Sequence, residues 1–186
     1  MSELTVGTLS GLAANSYVID VASGSQLTQP GMVLQVVSTT KTDAFTTSSA
    51  TYADVTGLNV SITPSSASNK VWVSGHISIN TPVAGGLAFF QIVRDSTPVC
   101  IGDSAGSRAQ ATGFRLGSSS NTFINGTGMF SFNFLDTPGT TSATTYKIQV
   151  TAGGVATIGI NRSMDDSDSF NRARTTSTIT AVEVAG

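Results

Sequence analysis

The run "KVWVSGHISIN", residues 70–80, alternates strictly. Val71, Val73, Ile77 and Ile79 fall on one side, and Trp72, Ser74, His76 and Ser78 on the other. Successive side chains of a strand point to opposite faces, so this spacing suits a half-buried strand and cannot line one side of a helix. The same period recurs in Leu58, Val60 and Ile62, and in "LAFFQIVRD" (87–95), "TGMFSFNFL" (127–135), "TYKIQV" (145–150) and "STITAVEV" (177–184). "GMVLQVVS" (31–38) and "VATIGIN" (155–161) read as further strands. No long segment carries an apolar stripe of helical period. Turn clusters such as "TPSSASN", "TPVAGG", "GDSAGS" and "DTPGTTS" separate the strands. Roughly eight to ten short strands joined by Gly/Pro/Ser turns predict an all-β fold. We expect an antiparallel, jelly-roll-like β-sandwich over residues 31–186, with the Phe130/Phe132/Phe134 row buried between two sheets about 10 Å apart.

The stretch "FLDTPGTTSATTYKIQV" (134–150) shows how little chemistry this architecture carries. Asp136 through Gly139 reads as a turn. The strand after it turns Tyr146, Ile148 and Val150 inward and Lys147 and Gln149 outward.

Residues 1–30 have a different texture. Apolar residues are scattered, Gly and Ser repeat, and the segment ends at Pro30–Gly31. It reads as an extended N-terminal arm with Leu4, Val6, Leu9, Leu12, Tyr17, Ile19 and Val21 as its anchors, the alternative being the first strand of the sandwich itself. The alternation in "SYVIDVAS" suits addition of a strand to a neighbouring sheet edge.

The charge content narrows the functions open to such a chain. Charged residues make up 11% of the sequence and the formal net charge is −2. An ordinary soluble domain carries about 25% charged residues. A chain so weakly charged has no field to draw in nucleic acid or an anionic membrane surface, and neither is expected as a partner. Small hydroxyls replace the charges: 26 serines and 27 threonines. No apolar stretch approaches the ~20 residues of a membrane-crossing helix. The first sixteen residues lack the basic start and apolar run of a secretion signal, so folding in a cytoplasm is expected.

Catalysis lacks a constellation. His76 is the single histidine and sits mid-strand beside Gly75, where a surface or interface role outweighs that of a general base. Cys100 is the single cysteine, which excludes an intrachain disulfide and a thiolate zinc cluster. Its neighbours Val99 and Ile101 suggest a buried strand thiol. The densest charge cluster is "MDDSDSFNRAR" (164–174). Asp165, Asp166 and Asp168 supply oxygens that calcium accepts, but the loop lacks the glycine and the terminal glutamate of an EF-hand. A solvated loop whose aspartates face Arg172 and Arg174 is the better reading. No enzymatic activity, cofactor or metal is expected.

Several stretches are distinctive as text: "PGMVLQVVSTTKTDAFTTSSATYADVTGLNVSITPSSASNKVWV", "FNFLDTPGTTSATTYKIQV" and the ending "NRSMDDSDSFNRARTTSTITAVEVAG". With the leader "SELTVGTLSGLAANSYVIDVASGSQL", they resemble virion structural proteins of tailed bacteriophages, notably marine and cyanobacterial ones. The resemblance spans nearly the whole chain and contains no active site. It implies a protein synthesised in the host cytoplasm and placed on the particle exterior. The implied role is capsid decoration (cement), clamping neighbouring capsid subunits, with a tail-fibre, collar or knob component as the alternative. The implied partners are a second and third copy in a homotrimer, the major capsid protein or other virion proteins, and a host-surface receptor if the chain is a fibre. Trp72 and His76, on a face neither polar nor wholly apolar, are the interface candidates within the sandwich.

Overall fold

The computed structural model describes residues 29–81, 86–117, 127–153 and 157–186. Among them the chain forms eleven strands and no helix. In chain order these are β1 (Val33–Lys41), β2 (Phe45–Thr47), β3 (Ala53–Ile62), β4 (Lys70–Asn80), β5 (Leu87–Arg94), β6 (Thr97–Val99), β7 (Gly113–Leu116), β8 (Gly128–Asp136), β9 (Thr144–Thr151), β10 (Ile158–Ile160) and β11 (Ser177–Val184).

All pairings are antiparallel, and they make two sheets. In the first, β4 is central. Its residues 71–79 pair with β8 along one edge. Its other edge pairs with β11 over residues 70–76 and with β10 at Ile79 and Asn80. Beyond these lie β1 on β11 and β2 on β10. In the second sheet the order is β3-β9-β5, and β6 and β7 share the far edge of β5. The sheets pack face to face, so the expected antiparallel, jelly-roll-like sandwich is the fold the chain adopts.

The core follows from the alternation. Val71, Val73, Ile77 and Ile79 of β4 are fully buried, facing Leu58, Ile62, Ile92, Ile148 and Val150 of the other sheet. Full burial of each such side chain contributes roughly 1.5–3 kcal/mol. Tyr146, Ile148 and Val150 turn inward as the sequence predicts, and the preceding turn uses Gly139 at φ +66°. Gly75 occupies the inner position between Val73 and Ile77. A Cβ there would strike the Thr178 carbonyl oxygen and lie 2.8 Å from the Phe132 ring. The gap in the apolar series is therefore the seat for Phe132.

Four expectations need adjustment. The strands β2, β6 and β7 have three or four residues each, too few to display a period, and they raise the count to eleven. "VATIGIN" reduces to Ile158–Ile160 among the described residues. Of the phenylalanine row, Phe132 is buried, whereas Phe130 and Phe134 are half-buried, because β8 lies at the edge of its sheet. Cys100 is exposed rather than buried. The strand ends at Val99, and the left-handed backbone of Cys100, φ +54°, carries its thiol off the sheet.

Candidate interaction surface

The outward face of the β4 sheet carries the sequence-selected Trp72 and His76. Residues directly paired across antiparallel strands share a face. The register places Val36 opposite Val182, Val182 opposite Trp72, and Trp72 opposite Leu135. These four side chains form an apolar row running across β1, β11, β4 and β8. Val36 is 60% exposed, Trp72 45% and Leu135 53%, while Val182 lies almost covered between its neighbours. Val33 and Met129 add further exposed apolar area on the same sheet. Sequence reasoning found Trp72 but missed Val36 and Leu135. Their alternation was visible; their alignment depends on register.

Two residues along β4, the face turns polar. Ser38 and Thr180 share a hydrogen bond of 2.8 Å. His76 closes the next row: its Nε2 lies 3.2 Å from the Thr176 carbonyl oxygen and its Nδ1 3.1 Å from Thr178 Oγ1. The carbonyl can only accept, so Nε2 carries a proton, and Nδ1 shares a hydrogen bond with the threonine hydroxyl. With both nitrogens occupied, this histidine braces the β4–β11 pair and is poorly placed to act as a base.

The buried polar groups serve architecture. Glu183 points inward from β11 and is almost completely covered. Its carboxylate accepts hydrogen bonds from Ser65 N (2.6 Å), Ser65 Oγ (2.8 Å), Asn69 Nδ2 (2.7 Å) and Gln35 Nε2 (3.1 Å). Burial pushes its titration upward, but these donors outweigh it and hold the carboxyl below the usual glutamate value. At the other end of the sheet, fully buried Asn161 donates to the Lys41 and Asp43 carbonyls and accepts from Ser177 Oγ at 2.6 Å.

The aspartate-rich loop is an ion-pair cluster. Arg172 binds Asp165 through Nε and Nη2 at 3.1 and 3.0 Å. Arg174 reaches Asp166 at 2.6 Å, and Arg162 lies 3.4 Å from the same carboxylate. The Arg172 guanidinium, helped by the Ser167 hydrogen bond, holds Asp165 below the ordinary aspartate range. Asp168, Arg172 and Arg174 line a cleft of about 240 Å³ in this loop. Among the described residues no three His, Cys, Asp or Glu side chains gather as metal ligands. Phe170 projects from this loop fully exposed. The arm candidates Leu4, Val6, Leu9, Leu12, Tyr17, Ile19 and Val21 lie outside the described residues.

No protein-family model matches the chain, and no curated protein matches its sequence. Similar folds occur among solved structures of infectious bursal disease virus. The Gx strain structure is 14% identical with a TM-score of 0.41, over 91% of this chain and 42% of the other. The crystal structure of the VP2 subviral particle is 16% identical with a TM-score of 0.37, over 82% and 38%. The virus-derived T=1 particle is 15% identical with a TM-score of 0.42, over 91% and 40%. The chain thus spans about two fifths of the length of each of these three chains.

Proposed function

We propose that this chain is a non-enzymatic structural component of a virion, a capsid decoration (cement) protein that clamps neighbouring capsid subunits from the particle exterior. The observation that carries the reading is the exposed row Val36–Trp72–Leu135 on a charge-poor sheet face. Contiguous exposed apolar area of this kind marks a surface that a partner covers. Two features support the reading. The sequence resembles tailed-phage virion proteins over nearly its full length. The one histidine and the densest aspartate cluster are occupied by structural hydrogen bonds and ion pairs. The partners in this reading are further copies of the chain, as a homotrimer, and the major capsid protein.

The N-terminal arm, residues 1–30, is the attachment element in this proposal. Each apolar anchor buried in a partner groove contributes about 1.5–3 kcal/mol. Ordering the backbone costs about 1–2 kcal/mol per residue, so strand addition to a sheet edge has to assist. Deleting residues 2–29 tests this. The expected product folds but is no longer incorporated into particles; a product that fails to fold makes the segment part of the sandwich.

Phe170 favours a second reading, as a tail-fibre, collar or knob component that meets a host-surface receptor. A fully exposed phenylalanine on a loop braced by arginine–aspartate pairs suits a contact tip. Locating the protein on imaged particles separates the two. Decoration predicts copies distributed over the capsid shell. Density confined to the tail, or absence from purified particles, overturns it.

A further inference from the structure

Among the described residues β8 pairs with β4 alone, leaving a nine-residue strand with its second edge open. Open edges are templates for pairing with another chain, and proteins ordinarily blunt them with bulges, prolines, charges or shortness. The other edges here do so. A bulge interrupts β1 between Val33 and Gln35, and β1 ends in an inward Lys41. The register of β3 shifts between Asp54 and Asn59. Three residues with Pro98 make up β6, β7 has four residues with Arg115, and β2 has three. By contrast, β8 matches β4 through nine consecutive pairs without a bulge, and its single charge, Asp136, is tied to Arg94 at the very end.

The sequence of this edge is symmetric in character. Reading "MFSFNFL" outward from Phe132 gives Ser131 and Asn133, then Phe130 and Phe134, then Met129 and Leu135. We infer that β8 is the contact between two copies of this chain, paired antiparallel about a twofold axis through Phe132. In that register Met129 meets the partner copy's Leu135, and Ser131 meets its Asn133, on the outward face. Phe130 meets the other copy's Phe134 on the inward face. Each pair occurs twice, once on either side of the axis, as an isologous interface requires, and each joins side chains of similar character. The pairing would cover Met129 and Leu135, now 61% and 53% exposed, and complete the burial of the two half-buried phenylalanines. The inference stands apart from the virion reading. Combined with threefold assembly it would give six copies.

The experiment is sedimentation equilibrium of the full chain and two variants. Ser131 and Asn133 are exposed, so substituting them leaves the core intact. The parent is expected to contain an even number of copies, twice 19.0 kDa for the simple dimer. Ser131→Lys with Asn133→Lys sets like charges directly opposite each other and is expected to halve that mass. Ser131→Glu with Asn133→Lys sets opposite charges in the same places and is expected to retain it. A parent of odd copy number, or a mass unchanged by the double lysine variant, overturns the inference. Failure of the charge-swapped variant to retain the mass overturns the register.

Discussion

Tyr146 on β9 donates a 2.7 Å hydrogen bond to Asp136 Oδ2 at the end of β8, joining the two sheets across the edge of the sandwich. Arg94 of β5 adds Nη1 contacts of 2.9 and 2.8 Å to the two oxygens of the same carboxylate. Burial, and then the Asp136 charge, push the phenol far above its ordinary value of 10.0. The phenol's contribution is therefore present at neutral pH and begins to fade only above pH 10. Tyr146→Phe keeps the buried ring but leaves the carboxylate one donor short. Denaturant unfolding at pH 7 is expected to show a loss of about 1.5–3 kcal/mol, typical of a hydrogen bond to a charged group. An unchanged midpoint would mean that water replaces the phenol.

Glu183 sets an acid limit. Its folded-state titration lies below the ordinary 4.5, so its stabilisation is complete above that value and is lost as pH falls through the depressed one. Glu183→Gln is expected to lower stability at neutral pH by about 1–3 kcal/mol, since an amide cannot accept from all four donors. It should also flatten the acid limb below pH 4.5 relative to the parent. Parallel acid limbs in the two proteins would show that other carboxylates carry the effect.

Gly75 tests the seat for Phe132. Gly75→Ala drives a methyl group against the Thr178 carbonyl and the ring, and overpacking of this kind costs about 1–3 kcal/mol. Combining it with Phe132→Leu is expected to recover part of the loss, because the shorter side chain withdraws from the new methyl. Additive losses would place the clash on the backbone alone.

The aspartate loop is expected to matter little to folding. Asp166→Asn removes the partner of Arg162 and Arg174, but solvent-accessible pairs are worth roughly 0.2–1 kcal/mol. The melting temperature should move only slightly, and less in high salt. A large drop would mean that the loop is coupled to the core.

The apolar row should behave in the opposite way. Trp72→Ser with Leu135→Ser alters exposed positions, so the circular dichroism spectrum and melting temperature should stay close to the parent's. Incorporation into particles should fall sharply. Normal incorporation would remove this face from the proposed interface.

Alternation alone determined much of this protein. Val71, Val73, Ile77 and Ile79, and Tyr146, Ile148 and Val150, lie inward as their spacing requires, since a strand allows each side chain only one of two faces. Composition showed the scarcity of reactive side chains, and the loop sequence itself the arginine-facing aspartates. The tertiary structure decided what period two cannot carry. In "STITAVEV" hydropathy alone would turn Val182 inward and Glu183 to solvent, yet Glu183 is the inward residue and Val182 lies outside, beneath Trp72 and Val36. The donors that make this tolerable, Ser65 and Asn69, are more than a hundred residues away in sequence. Register and sheet order likewise align Val36 with Leu135 and, among the described residues, leave β8 at an edge. Strand pairing is a long-range choice, made by the whole core at once, and no local pattern encodes which edge stays open.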